Sequence, residues 1–273
     1  MKAIKKLVGL GLVMALAVGV VGCSSGSSET KLDQIKSNGK LVVGLSPDYP
    51  PFEFPVMENG KEKIQGVDPA IGEAIAKEIG VKVEIKKMDF DGLIGAVNSD
   101  KIDIVLSAMS PSPDRVKTTD FSDLYFETKN VVLVKKDFTG KIESGEDLKK
   151  LKVGVQRGSI QEQYVRNELK VANSKSLAAV TDLALDLKNG NIDAIVVNDL
   201  VGNITAKQYN YVKVANSSVG GDVKEGMAAA IKKADNNKEF VELVNKVIKD
   251  MKDSGQFDKT LDEMTTLASK SAQ

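Results

Sequence analysis

Histidine is absent from all 273 residues, which removes the commonest general base and the commonest zinc ligand together, and with them serine–histidine–acid hydrolysis. Cysteine occurs once, at Cys23, so neither a disulfide nor a multi-thiolate metal site can form within the chain. The sequence has no G-x-x-x-x-G-K-[ST] loop and no G-x-G-x-x-G turn, the two phosphate-binding signatures of nucleotide enzymes. An excess of one charge is missing as well: 38 Lys and Arg face 38 Asp and Glu, which leaves nothing to attract nucleic acid. These absences point away from a metal, a cofactor or a nucleic-acid partner.

What is present begins at the single thiol. Lys2, Lys5 and Lys6 precede an uncharged apolar run over residues 7–21, and Val20-Val21-Gly22-Cys23 sets a small residue before the cysteine. The run falls short of the roughly 18 to 20 residues of a spanning helix. The pattern reads as a lipoprotein signal peptide over residues 1–22 with Cys23 as the lipidated first residue of the mature chain; a signal-anchor helix with an incidental thiol is the alternative. Residues 23–31, with Ser24-Ser25-Gly26-Ser27-Ser28-Glu29, form a small-polar tether. No second apolar stretch long enough to span a bilayer follows. The mature body keeps 35 basic against 38 acidic residues. Its size, about 240 residues, favours two compact units over one core.

Short apolar strand-like runs alternate with helix-like runs. Strands are expected over residues 40–45, 81–85 and 102–106, and helices over 67–79 and 90–97, the grammar of βαβ units. The first of these helices has Asp68 as N-cap, Pro69 at its first position, Ile71, Ile75 and Ile79 on one face, and Gly80 as its stop. The second half repeats the pattern, with strands over 151–155 and 192–197 and helices over 160–169 and 176–188. Lys40-Leu41-Val42-Val43-Gly44-Leu45 echoes Lys150-Leu151-Lys152-Val153-Gly154-Val155, and Ile102-Asp103-Ile104-Val105 echoes Ile192-Asp193-Ala194-Ile195-Val196. Two similarly built lobes explain both echoes; so does ordinary buried-strand composition. Phe240, Val244, Val247, Ile248 and Met251 carry the spacing of a further amphipathic helix ending at Gly255.

In open parallel sheets, ligands sit beyond the carboxyl ends of the strands. Polar and aromatic residues collect there in this chain, in Ser46-Pro47-Asp48-Tyr49-Pro50-Pro51-Phe52-Glu53-Phe54, in Ser107 to Arg115, in Gln156-Arg157-Gly158-Ser159 and in Asn198-Asp199.

These segments, with Gly66-Val67-Asp68, Asp120-Phe121-Ser122 and Tyr125, resemble in order the family 3, polar amino-acid-binding solute receptors of ABC importers over nearly all of residues 32–265. The resemblance implies an α/β fold of the type II periplasmic-binding-protein kind: two Rossmann-like lobes joined by two crossover strands, near residues 127–133 and 219–225, with a ligand cleft between them. The expected division is 32–129 for the first part of lobe 1, 130–222 for lobe 2, 223–265 for the return into lobe 1, and 266–273 as a disordered tail.

A free amino acid is a zwitterion, and taking both its charges out of water costs several kcal/mol unless each meets a partner. Arg115 can grip the α-carboxylate bidentately while hydroxyls and backbone N–H groups of Ser107 to Ser112, Ala108 and Met109 among them, fill the remaining lone pairs; the resemblance gives the arginine that role and matches Ser110 to its helping serine. It assigns the α-ammonium to Asp199, with Ser159 and Ile160 on the opposing loop. Tyr49, Phe52 and Phe90 are candidate walls for the side chain, since aromatic faces suit a guanidinium, an ammonium or a planar amide. Glu53 is a candidate acid for a cationic head and Gln156 a neutral polar contact. Ser46 departs from relatives that bind basic amino acids and carry aspartate there; Pro111 and Pro113 around Ser112 depart from the family's threonine-bearing loop. The implied partners are a free L-amino acid, with arginine favoured and glutamine next, a membrane permease and the lipid anchor at Cys23; a monomer is expected. The rival functions are an enzyme of the same fold, such as a cyclohexadienyl-type dehydratase using Glu53 or Asp199, and a surface sensor or adhesin.

Overall fold

A computed structural model describes residues 29–216, 219 and 225–270. The signal-peptide reading, Cys23 and residues 23–28 of the tether lie outside them, as does most of the second expected crossover. The tether reading fails at its end. Thr30 and Asp33 form a reciprocal capping box, Thr30 Oγ1 accepting the Asp33 N–H at 3.1 Å, which starts helix α1 (Lys31–Asn38).

From α1 the chain runs through β1 (Lys40–Leu45), the hairpin β2 (Phe54–Glu58) and β3 (Lys61–Gln65), α2 (Val67–Ile79), β4 (Lys82–Lys87), α3 (Leu93–Asn98), β5 (Ile104–Val105), β6 (Thr119–Phe121) and β7 (Phe126–Thr128). It continues with β8 (Asn130–Lys135), β9 (Val153–Gln156), α4 (Ile160–Gln163), β10 (Ser174–Leu177), α5 (Val180–Asn189), β11 (Ala194–Asn198), α6 (Asp199–Gln208) and β12 (Val212–Asn216). It returns through β13 (Glu225–Met227), β14 (Ala230–Lys232), α7 (Lys238–Asp253) and α8 (Gln256–Lys270). Two five-stranded sheets result, ordered β4-β1-β5-β14-β6 and β10-β9-β11-β8-β12. In each, only the fourth strand runs antiparallel to the other four, so the molecule is α/β with two lobes of one topology. Between them β7 and β13 pair antiparallel, Thr128 opposite Glu225 and Phe126 opposite Met227.

The sequence echoes fall on equivalent strands, β1 with β9 and β5 with β11, and the side chains explain why. Asp103 Oδ2 accepts the Val42 N–H at 2.9 Å, and Asp193 Oδ2 accepts the Lys152 N–H at 2.8 Å. A Cβ on Gly44 would stand 2.3 Å from Ile102 Cδ1, and one on Gly154 would stand 2.5 Å from Ile192 Cδ1. Each lobe thus uses a glycine in the second strand of its sheet to let an isoleucine cross close over the backbone. Composition alone does not produce such paired contacts.

Ile71 and Ile75 of α2 are buried, as are all five apolar residues expected on α7. Each such side chain contributes about 1.5–3 kcal/mol by leaving water. Three expectations need correction. Asp68 is not the N-cap of α2: the helix starts one residue before it, Gly66 holds the cap position at φ 145°, and a Cβ there would meet Phe52 O at 1.9 Å. The helix expected over residues 176–188 starts at Val180, because Ser174–Leu177 hydrogen-bonds along the edge of β9 as β10. Residues 266–270 are helix, not disordered tail. Phe257, Leu261, Met264 and Ala268 repeat at helical spacing and carry α8 to Lys270, where Ala268 packs with Phe54 and Ile204. The helix expected over 160–169 widens after α4, Leu169 N–H reaching Tyr164 O five residues back at 2.9 Å.

Candidate functional site

The carboxyl ends of β1 and β5 face those of β9 and β11, and a narrow cavity lies between them. Its first wall is the loop after β5. Ala108 stands in the left-handed region at φ 45°, a conformation that costs a non-glycine residue about 1–3 kcal/mol and persists only when surroundings impose it. The imposing group is Asp68, wholly buried, whose Oδ2 accepts the Ala108 N–H at 2.6 Å. Beside it, Ser107 Oγ donates to Glu53 Oε1 at 2.8 Å and accepts the Ser46 N–H at 3.0 Å.

Glu53 and Asp68 lie against each other with Tyr125 behind them, and Glu53 Oε2, Asp68 Oδ1 and Tyr125 Oη are buried with only one another for partners. Two carboxylates cannot bond to each other; a proton shared between them satisfies both. Burial pushes Glu53 well above the usual carboxylate range, and the neighbouring Asp68 adds to the rise. Burial raises Asp68 to about 6, against the bonds it accepts from Glu53, Ala108 and Tyr125. Glu53 is therefore the protonated partner in a buried structural pair, not a free carboxylate for a ligand.

Arg115 closes this wall. It is 8 % exposed; desolvation pulls it down to about 10, so it stays charged at neutral pH. Nη1 donates to Ser110 O at 2.6 Å, Nη2 donates across the cleft to Gly158 O at 2.7 Å, and the Phe90 ring lies 5.3 Å from Cζ. Three of the five guanidinium N–H groups remain for an anion. Gly158 suits the crossing: its φ is +77°, and a Cβ there would meet Asp91 of lobe 1 at 2.8 Å. Arg157 pairs with Asp91 at 2.9 Å at the rim.

The opposite wall is neutral. Gln156, Ser159, Ile160 and Gln161 come from the end of β9 and the start of α4, Asn198 from β11, and Thr128 and Met227 from the crossing strands. Asn198 Nδ2 donates to Tyr49 Oη at 2.9 Å while its Oδ1 caps α6 by accepting the Val201 N–H.

Of the expected site residues, the structure gathers Tyr49, Phe90, Ser107, Ala108, Ser110, Arg115, Gln156, Ser159 and Ile160 around the cavity. The remaining five stand elsewhere. Phe52 is fully buried core, packed on Phe126 at 5.3 Å. Met109 is fully buried beneath the loop, among the apolar residues around Phe90 and Leu93. Ser46 turns its hydroxyl to Asp48, and Glu53 sits behind Ser107. Asp199 is one residue past the lining position: its Oδ1 accepts from Thr128 Oγ1 at 2.6 Å, and Asn198 takes the wall. Thr128, Gln161, Asn198 and Met227 were not foreseen; Asn198 and Gln161 adjoin expected positions, whereas Thr128 and Met227 lie in the crossing strands. A roomier groove beyond Asp48, lined by Pro47, Phe54, Val180 and Tyr209 among others, offers no cation for a carboxylate.

A buried guanidinium set among hydroxyls, amides and aromatic rings, between two lobes of one topology, defines a receptor for a small solute bearing a carboxylate. The chain belongs to the bacterial extracellular solute-binding proteins, family 3, whose model matches residues 41–265. The arginine-binding extracellular protein ArtP of Bacillus subtilis (strain 168) is 33% identical over 265 residues, 93% of this chain and 96% of the relative. The L-arginine-bound crystal structure of the amino-acid ABC transporter substrate-binding protein AbpA from Streptococcus pneumoniae superposes with a TM-score of 0.81 at 36% identity, covering 87% of this chain and 98% of that one. An ancestral amino acid-binding protein described as a precursor of cyclohexadienyl dehydratase superposes with a TM-score of 0.77 at 35% identity, covering 86% and 100%.

Proposed function

We propose that this chain is the extracytoplasmic substrate-binding component of an amino-acid ABC importer. It captures a free L-amino acid, arginine first and glutamine next, and presents the closed form to a membrane permease. The observation that carries the reading is Arg115, charged, buried, stacked on Phe90 and bonded to both lobes. A ligand carboxylate at its free N–H groups is fully paired, and the binding energy that holds it favours the shut conformation. The α-ammonium goes to the Thr128 side, where Asp199 supplies negative charge through the Thr128 hydroxyl. The arginine-binding names of the relatives support the choice of ligand. An affinity near micromolar, about 8 kcal/mol, allows both capture and release.

An acid–base enzyme needs a carboxyl against its substrate. The residues lining the cavity carry none, and Glu53 and Asp199 stand behind Ser107 and Thr128. This favours a binding role over the dehydratase chemistry hosted by the same fold. Attachment is through lipid at Cys23 on a monomeric receptor, a reading supported by the basic head, the short apolar run and the small residue before that cysteine. A thermal-shift screen of the twenty amino acids tests the ligand: L-arginine is expected to raise the melting temperature most, by mass action, and a flat response to all twenty overturns the reading.

A further inference from the structure

The side-chain end of the cleft is shut by a carboxylate that belongs neither to the cavity wall nor to the core. Asp48 follows β1 in lobe 1, and its Oδ2 accepts the N–H of Val180, the first residue of α5 in lobe 2, at 2.6 Å across 132 residues of sequence. Helix α5 needs this bond. Its N-cap position is Ala179, which has no side-chain acceptor, so the helix has no cap of its own. A carboxylate at a helix start also meets the positive end of the macrodipole. Within lobe 1, Ser46 Oγ donates to Asp48 Oδ1 at 2.8 Å.

The same carboxylate touches the cavity through one side chain. Gln156 Nε2 lies 3.3 Å from Asp48 Oδ2 and 3.2 Å from Ala178 O. Both partners only accept, so the amide is fixed one way round, with nitrogen toward Asp48 and Oε1 left for a ligand. When the lobes separate, Asp48 leaves: α5 loses its cap and Gln156 loses the charge that orients it.

We propose that Asp48 is a closure latch and positioning residue: it caps α5 from the opposite lobe only in the shut state, and in that state sets Gln156 to present an acceptor to the ligand's distal group. Such an acceptor favours a distal donor, a guanidinium, ammonium or amide N–H, over a distal carbonyl or carboxylate. The second half of the proposal rests on the arginine-binding reading; the first half does not.

Two measurements on the full chain test the halves separately. Amide hydrogen exchange at Val180 reads the cap directly. In the protein shut by whichever amino acid the thermal-shift screen selects, Asp48→Ala is expected to raise it about tenfold over wild type, with a much smaller difference in the ligand-free protein, whereas Asp186→Ala, which removes the α5 carboxylate paired with Lys175 and Asn191 inside lobe 2, leaves it unchanged. Calorimetry with L-arginine and L-citrulline, whose distal carbonyl replaces an amino group, reads Gln156. The preference for arginine is expected to fall about fivefold in Asp48→Ala and less in the isosteric Asp48→Asn, whose carbonyl oxygen can still accept from both Val180 and Gln156 but carries no charge. Unchanged Val180 exchange in Asp48→Ala overturns the latch, whatever the ligand proves to be. Increased exchange with an unchanged arginine-to-citrulline preference overturns the positioning of Gln156. If the wild type binds another amino acid and not arginine, the ligand reading fails while Val180 exchange in that complex still decides the latch.

Discussion

Lobe 1 and lobe 2 share a strand order, a glycine under an isoleucine and an aspartate clamped to the neighbouring strand, yet they bring opposite chemistry to the cleft. Lobe 1 carries the charge: Arg115, a left-handed Ala108, and behind them a buried acid pair that fixes the loop. Lobe 2 contributes amides, a hydroxyl and an isoleucine, and its Asp199 is shielded by Thr128. The scaffold is therefore neutral about function. The loops after the strands decide it: on the proposed reading one lobe fixes the ligand's charge and the other covers it and reads its shape.

The largest test of that division is Arg115→Ala, which should weaken amino-acid binding by about 2–5 kcal/mol, since a buried carboxylate loses its partner and the bond to Gly158 is lost with it. No single amide substitution in lobe 2 should match it by calorimetry. The shared scaffold predicts parallel damage: Gly44→Ala and Gly154→Ala should each lower stability by about 1–3 kcal/mol in denaturant melts. Trimming the facing side chain, by Ile102→Val or Ile192→Val, should restore part of it. Rescue should be fuller for Gly44, where Leu93 Cδ2 stands off at 3.2 Å, than for Gly154, where Leu183 Cδ2 is at 2.8 Å. Phe90→Ala should reduce affinity by about 0.5–2 kcal/mol, through loss of the stack on the Arg115 guanidinium and the ligand.

The smallest effect is on pH dependence. Burial raises Asp48 and Asp68 to about 6 and Glu53 above its usual range, so the folded state binds protons more tightly than the unfolded chain. For Asp48 and Asp68 the cost of ionisation is full above about pH 6 and is relieved as pH falls toward 4; for Glu53, already protonated in the fold, the relief begins at higher pH. Exposed carboxylates such as Asp33, Asp114 and Asp147 are shifted downward by hydrogen bonds and act the other way, losing their contribution at lower pH. The melting temperature should therefore rise from pH 7.5 to about pH 5 and fall below about pH 4, and Asp68→Asn should flatten the rise.

Much of this was legible in the sequence because local signals agreed. Gly80 stops α2 at φ 86°, the five apolar residues of α7 all turn inward, and the paired strand echoes mark equivalent places in two lobes. The stripe Phe257, Leu261, Met264 and Ala268 was equally visible, but the polar end of the chain masked it. Other features had no local signal. Ser174–Leu177 has no apolar rhythm and becomes a strand only because β9 offers an unpaired edge. The exchange of Asp199 for Asn198 turns on strand parity. Ala194 and Val196 pack into one cluster, Ile195 and Val197 into another, so both faces of β11 are buried and the run gives no alternation to say which end residue reaches the cleft. Glu53 read as a ligand for a cation because its partner, Asp68, is brought to it only by the fold.

The most direct measurement compares L-arginine with agmatine, its decarboxylated form, on the wild type and on Arg115→Ala by calorimetry. Pairing of Arg115 with the ligand carboxylate predicts that deleting either group weakens binding severely and that deleting both adds little more. Agmatine binding the wild type as tightly as arginine would contradict it.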